Sequence, residues 1–377
     1  MRTLLLFDGL GGSCAELITE LRDLSAQPEN RAFFTVVCEA VETTLDHVGS
    51  AAYQEQLPAG VPLRAWLRAP TAPATAPADS ISAGVCTHAL QLCRLQPTGR
   101  VAPPVEHREV VGALGLSLGL QAAIVAGLGA RRPDAFLDLC ARSMRLVVLA
   151  LVRAQQLTRA DTVDPELVRR YLHDRPQAHR PAPMASVTGV ERGVLAAAVT
   201  RHNVRADPAG TAPAVEVGLV ASPQTQLLSG RTQDLLDFHF RHERFLAEAG
   251  ARWSFLRNTL PFHSTRLAPA LHREERDRGY LGAGPSGAQL RFPVQATDAP
   301  RNLQESADLD AEFTSLMLVR PVDWPAAVAQ AMAAYAPERA VDFGPGPAAR
   351  MFTRDCLRPA GRRLRFDSGP RASLQGR

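Results

Sequence analysis

An α/β fold interrupted by a small inserted sheet is what this chain of 377 residues encodes. Three features of the pattern carry that expectation. The N-terminus reads strand, glycine turn, helix. A second strand, turn and helix frame a G-x-S-x-G string at residues 115–119. Residues 184–258 run in the order βαββαβ, which is that of a ferredoxin-like unit, a compact insert with a sheet of its own.

In chain order, Thr3-Leu-Leu-Leu-Phe7 is an apolar run that enters the turn Asp8-Gly-Leu-Gly-Gly12, and the helix after it places Leu17, Leu21 and Leu24 on one stripe. Residues 31–48 predict a second amphipathic helix. The Pro/Ala tract over 69–78 suits neither helix nor ladder and predicts a surface loop. Helix resumes over 82–95, a polar loop spans 96–109, and Val110–Gly115 is a small apolar strand. Residues 116–128, rich in Ala and Leu, predict helix, and so do 134–156. In the insert the pattern predicts strands at 184–188, 215–220, 226–228 and 253–257, with helices at 190–202 and 232–249. Beyond it come a helix at 324–335, a strand at 340–343 and the turn Gly344-Pro-Gly346. The expected division is therefore 1–183 and 259–377 as two parts of one large α/β domain, with 184–258 inserted between them.

Composition narrows the function. At roughly 150 residues per domain the length allows two to three folding units. Hydrophobic residues make up 46% and charged residues 21%, the balance of a globular chain. Net charge is only +4, the basic residues are all arginine and scattered, and aromatics are 6%, which argues against a nucleic-acid face. Asp8 and Gly9 cut the first apolar run too short for a secretory leader, and no later run approaches the roughly 20 residues of a membrane helix. Cys14, Cys38, Cys86, Cys93, Cys140 and Cys356 form no C-x-x-C pair. The expectation is a cytoplasmic protein with reduced thiols.

Gly115-Leu-Ser117-Leu-Gly119 sits where a tight strand-to-helix turn lifts a serine hydroxyl above the sheet, with glycines relieving the crowding. The Leu118 amide then lies at a helix N-terminus, aimed at any negative charge forming beside Ser117. A serine needs a base, and of ten histidines His263, in Pro261-Phe-His-Ser264, follows the insert on a loop able to return over the sheet. By spacing alone it reads more readily as a solvated loop residue. His239, His242 and Glu243 match no zinc-protease order, so they read as a solvated helix face, and no metal site is expected. Gly344-Pro-Gly346 lacks the lysine and spacing of a phosphate loop and reads as a structural turn.

Taken together these strings resemble the malonyl/acetyl transacylase family of fatty-acid and polyketide synthases. Phe7-Asp-Gly-Leu-Gly11 is similar to its F-x-G-Q-G, Gly115 to Gly119 to its G-H-S-x-G, Leu227-Leu-Ser-Gly230 to its v-v-S-G, Pro261 to Ser264 to its P-F-H-S, and Val341-Asp-Phe-Gly-Pro-Gly346 to its l-D-F-G-P-G. Order and spacing agree over about residues 3–366. The nearest branches are the starter-unit acyl-carrier-protein transacylase domains of polyketide synthases and the acetyltransferase domain of fungal-type fatty-acid synthase, on the strength of Leu4-Leu-Leu-Phe7, Glu20-Leu-Arg-Asp-Leu24 and Ala221-Ser-Pro-Gln224.

The resemblance implies an α/β-hydrolase-like large domain with a ferredoxin-like small subdomain. It also implies a Ser117–His263 dyad with no triad acid, an oxyanion hole made by the Leu10 and Leu118 amides, and acyl transfer by a ping-pong route through an acyl-serine. The donor would be an acyl-CoA or acyl carrier thioester. The acceptor would be the phosphopantetheine thiol of an acyl carrier protein or polyketide synthase module, with no permanently bound cofactor. Malonyl-specific members carry an arginine about 25 residues past the serine that clamps the free carboxylate. Counting lands on Arg142, followed by Ser143 rather than glycine, with Met144 next and Arg145 one turn on, so Arg142 and Arg145 both stand as candidates. Leu116 replaces the family histidine and Leu10 its glutamine. These features together favour an uncharged starter acyl group and a dry pocket.

A thioester hydrolase using the same pair is the alternative, but its triad acid, Asp234 or Asp237, would have to come from a helix of the insert. A non-catalytic carrier-docking scaffold would need a broken dyad, and both residues are present. The arginines at 358, 362, 363 and 365 form a basic tail that would steer an acidic carrier or simply be solvated. Met1 and the complete motif set favour a free-standing protein.

Overall fold

In the computed structural model, which describes residues 1–368 apart from 12, 56, 58, 59, 70–77, 97–106, 208, 211, 273 and 274, β1 (Thr3–Phe7) is buried along its whole length. Its side chains alternate between two cores. Leu5 and Phe7 pack with α1 (Cys14–Ser25), α2 (Arg31–Val48), α3 (Leu63–Arg68) and α4 (Ser80–Arg94), while Leu4 and Leu6 pack on the opposite face. A parallel sheet covered on both faces demands such continuous apolar runs. The Pro/Ala tract lies almost wholly outside the described residues, as does most of the 96–109 loop.

β2 (Val110–Gly115) leads into α5 (Gly119–Leu128), then α6 (Pro133–Leu157) and α7 (Pro165–Asp174). The expected helix from residue 116 starts three residues later, because 116–118 form the turn itself. The inserted stretch holds β3 (Met184–Thr188), α8 (Arg192–Ala206), β4 (Val215–Ser222), β5 (Thr225–Gly230), α9 (Thr232–Arg241), α10 (Glu243–Glu248) and β6 (Arg252–Phe255). The single helix expected over 232–249 is thus two, broken at His242. That residue leaves the helical region (φ −108°, ψ 14°), and its ring lies tilted against Phe238 with the centroids 4.5 Å apart. The last strand ends at Phe255, two residues before the expected end.

The chain closes with α11 (Glu275–Leu281), α12 (Leu309–Leu318), β7 (Val322–Asp323), α13 (Trp324–Tyr335), β8 (Arg339–Asp342), α14 (Ala348–Leu357) and β9 (Arg365–Ser368). Two sheets result. One is parallel, in the order β2-β1-β8-β9; the other runs β6-β3-β5-β4-β7, antiparallel except where β7 joins β4. β9 was not expected: of the basic tail, Arg365 lies on a sheet edge and pairs with Asp367, while Arg358, just past the end of the last helix, pairs with Asp355. The second sheet has its own core, centred on Tyr171, Leu195, Leu235, Phe238 and Phe255.

His239 is buried in that core and His242 packs half-buried against Phe238 rather than on a solvated face, which corrects the sequence expectation. His239 is buried, 5.4 Å from the Tyr171 ring and 4.9 Å from Trp253. The helical spacing is right, but the apolar partners come from α7 and β6, remote in sequence. No helix among the described residues is long and apolar enough to cross a membrane.

Candidate active site

β2 and α5 meet at a turn that only glycine can flank. A Cβ on Gly115 would fall 2.3 Å from the Leu120 backbone, and one on Gly119 would fall 2.5 Å from the Asp8 carbonyl oxygen. Between them Ser117 takes a left-handed backbone, φ 53°, a conformation that costs a non-glycine residue roughly 1 kcal/mol or more. The Leu116 amide donates to the Phe7 carbonyl at 2.9 Å and ties the turn to the end of β1. Gly9 lies against the turn as well, its missing Cβ 2.8 Å from the Leu116 carbonyl oxygen and 3.4 Å from Ser117 Cβ. The loop carrying Leu10 therefore borders the serine. Leu118 caps α5, and among the described residues neither its amide nor that of Leu10 donates to a backbone carbonyl.

His263 is the second residue in a left-handed conformation, φ 57°. Its loop is held from two sides. From the inserted sheet, Ser229 donates its hydroxyl to the Phe262 carbonyl at 2.6 Å, and Gly218 on β4 leaves room where a Cβ would sit 3.0 Å from the His263 carbonyl oxygen and 3.2 Å from its Cβ. From α12, the Leu318 carbonyl accepts from the Ser264 amide at 3.0 Å. Outside these, Glu216 accepts from the Thr265 amide at 2.9 Å and its hydroxyl at 2.7 Å.

The imidazole then bridges the two halves. Nδ1 lies 3.1 Å from the Arg320 carbonyl oxygen and Nε2 lies 2.9 Å from Ser117 Oγ. A carbonyl only accepts, so Nδ1 carries the proton and donates it, and Nε2 is the bare nitrogen that accepts from the serine hydroxyl. Burial pushes the imidazole down to about 4, against the raising effect of the Arg320 and Leu316 carbonyls, because the interior penalises the cation. The ring is therefore a neutral base at physiological pH. Asp234 and Asp237 lie on α9, and Asp234 is engaged by Arg231 at 2.7 Å.

The other expected pocket residues are placed as follows. Leu116 is buried in the core shared with Leu4, Leu6 and Trp324, whereas Leu118 packs with α4 and α6. Arg142 donates to the Asp310 carboxylate and to the Leu281 carbonyl. Arg145 lies over the Tyr280 ring, 5.7 Å from its centroid. Met144 is buried in the core, and Ser143 is buried 2.7 Å from His88 Nε2 and 3.0 Å from Gln121 Nε2. Sequence reasoning missed Arg320, whose contribution is a carbonyl and leaves no side-chain signature. It also missed Gly218, and it saw Ser229 only as part of a motif. Among the described residues no group of three or more His, Cys, Asp or Glu is arranged to hold a metal.

A scan against protein-family models and a search of curated proteins find no match. Solved structures do match. The malonyl-CoA:acyl carrier protein transacylase of Helicobacter pylori superposes with a TM-score of 0.64 at 16% identity, covering 99% of this chain and 96% of that one. The acyltransferase domain from the second module of the salinomycin polyketide synthase gives 0.56 at 19%, covering 97% and 68%. A malonyl-transacylase solved in complex with its type II polyketide synthase acyl carrier protein gives 0.59 at 17%, covering 99% and 98%. The chain therefore has the fold of the malonyl-CoA:acyl carrier protein transacylases and polyketide synthase acyltransferase domains.

Proposed function

We propose that this protein is an acyltransferase that carries an acyl group from an acyl-CoA or acyl carrier thioester, through an ester on Ser117, to the phosphopantetheine thiol of an acyl carrier protein in fatty-acid or polyketide biosynthesis. The observation that carries the reading is the 2.9 Å contact between Ser117 Oγ and the bare nitrogen of a histidine whose other nitrogen is fixed by a carbonyl. His263 takes the serine proton as Oγ attacks the thioester carbon. The oxyanion forms at the Leu118 and Leu10 amides, each such donor being worth roughly 3 kcal/mol of barrier. Collapse expels the donor thiol, which takes the proton back from His263. The carrier thiol then repeats the sequence in reverse.

We read the molecule as an α/β-hydrolase-like body, residues 1–183 and 259–377, with a ferredoxin-like insert at 184–258, working in the reducing cytoplasm where its cysteines stay free. An uncharged, starter-type acyl group is favoured. Arg142 is already matched by Asp310 and the Leu281 carbonyl, so a free carboxylate would have to displace a buried partner. Incubation with a panel of acyl-CoAs, followed by intact-mass measurement before and after adding a phosphopantetheinylated carrier, tests this. An uncharged acyl adduct that passes to the carrier is expected. Fast release of free acid would identify a hydrolase, a malonyl adduct as the dominant one would overturn the substrate class, and no adduct would identify a scaffold.

A further inference from the structure

One buried carboxylate beside the dyad is not used by it. Asp8, at the end of β1, accepts from the Ala348 amide at 3.0 Å, the Ala349 amide at 3.2 Å and the Gly9 amide at 3.0 Å. The first two open α14, a ten-residue helix, so the carboxylate occupies a helix N-terminus where unsatisfied amides and the helix dipole favour negative charge. The third belongs to the loop that carries Leu10. Gly346 leaves the space: a Cβ there would sit 2.7 Å from Asp8 Oδ2. Behind it, Gln91 on α4 donates to the Asp8 and Gly344 carbonyls, both at 2.7 Å, and the Asp8 amide donates to the Gly344 carbonyl at 3.1 Å.

We propose that Asp8 is a positioning residue for acyl transfer, its ionised carboxylate latching the Gly9–Leu10 loop to the N-terminus of α14 and so holding the Leu10 amide where the oxyanion forms. The proposal rests on the acyl-transfer reading of the same site.

The charged groups around Asp8 define how the latch responds to pH. Asp342 on β8 opposes its ionisation. Arg94 on α4 is bound to the Phe343 carbonyl at 2.6 Å and to Glu20, and Arg350 on α14 lies 3.7 Å from Asp342. Burial first and Asp342 second push the Asp8 carboxyl up to about 6, while the three amides pull it down. Above that pH the carboxylate accepts from all three amides. Below it, the added proton confronts an amide N–H and the latch loses a bond. His263, held near 4, keeps its base form through the same interval. A fall in reactivity centred near pH 6 is therefore expected of the latch, and its absence in Asp8→Asn separates it from the base.

The test is the rate at which a fluorophosphonate labels Ser117 between pH 5 and 8.5, read by intact mass on the whole chain and on Asp8→Asn. In that reaction the serine oxygen bonds to phosphorus, fluoride leaves and His263 takes the proton, while negative charge builds on the phosphoryl oxygen in the same hole. No carrier or natural acyl group is needed. The wild type is expected to slow below about pH 6, and Asp8→Asn to label at least about tenfold more slowly at pH 8, with no step near 6. Labelling of Asp8→Asn at the wild-type rate, or a wild-type profile flat from 8 to 5, overturns the latch while leaving acyl transfer intact. Should Asp8→Asn fail to fold, a wild-type profile flat from pH 8 to 5 still overturns the latch. A chain that labels with this profile yet moves no acyl group to any carrier retains the latch and loses the acyl-transfer reading. Absence of labelling at every pH removes both.

Discussion

Two side chains held in left-handed backbone conformations, Ser117 and His263, carry the proposed chemistry. Strain of this kind persists only where the surroundings over-determine it. For Ser117 the surroundings are Gly115 and Gly119; for His263 they are Ser229, Gly218 and the Arg320 and Leu318 carbonyls. His263→Ala removes the base and is expected to slow acylation about 10²- to 10⁴-fold with the fold retained, measured as the rate of adduct mass gain beside the thermal midpoint. Because the imidazole sits near 4, the base itself limits the reaction only in strong acid. Ser117 was legible in the sequence because its string carries a backbone demand, and His263 because Pro261-Phe-His-Ser264 resembles a family string. Arg320 was not, since a carbonyl acts through position alone, and the role of Arg142 was not, since Asp310 is remote in sequence.

Among the elements, strands of the inserted sheet position His263. β4 bulges around Gly218, where the pairing with β5 shifts register, and that irregularity admits the His263 loop. Gly218→Ala would place a Cβ 2.6 Å from Ser229 Oγ and against His263. The loop would have to move, and a misplaced reacting group costs on the order of 10²-fold. Acylation should fall by about that factor while the substrate concentration for half-saturation changes little, which steady-state kinetics with a fixed carrier reads directly. The element order of the insert was visible because short strand runs alternate with helical periods. The break at His242 and the burial of His239 were not. Both follow from Phe238, Trp253 and Tyr171 converging from separate elements, and a helical period says only which residues share a face, not what covers it.

For the whole molecule, buried neutral histidines set the response to acid. His239 and His242 are pushed down to about 4 and His88 to about 3, each chiefly by burial, and His202 is lowered for the same reason. An unfolded chain binds protons at these groups from about pH 6.5 downwards while the folded chain does not, so stability is full above that value and lost as pH falls towards 4. Asp8, raised to about 6, works the other way, but it is outnumbered. The thermal midpoint is expected to drop by several degrees between pH 7 and 5; a midpoint that rises instead would show that the carboxylates dominate. Peptide mapping of the acyl adduct reads out whether one alcohol, activated by one imidazole across two sheets, is the nucleophile. The wild type should carry the acyl mass on the peptide containing Ser117, with Ser117→Ala gaining none. An equal adduct on Ser117→Ala, or acyl mass mapped to another residue, would contradict that role.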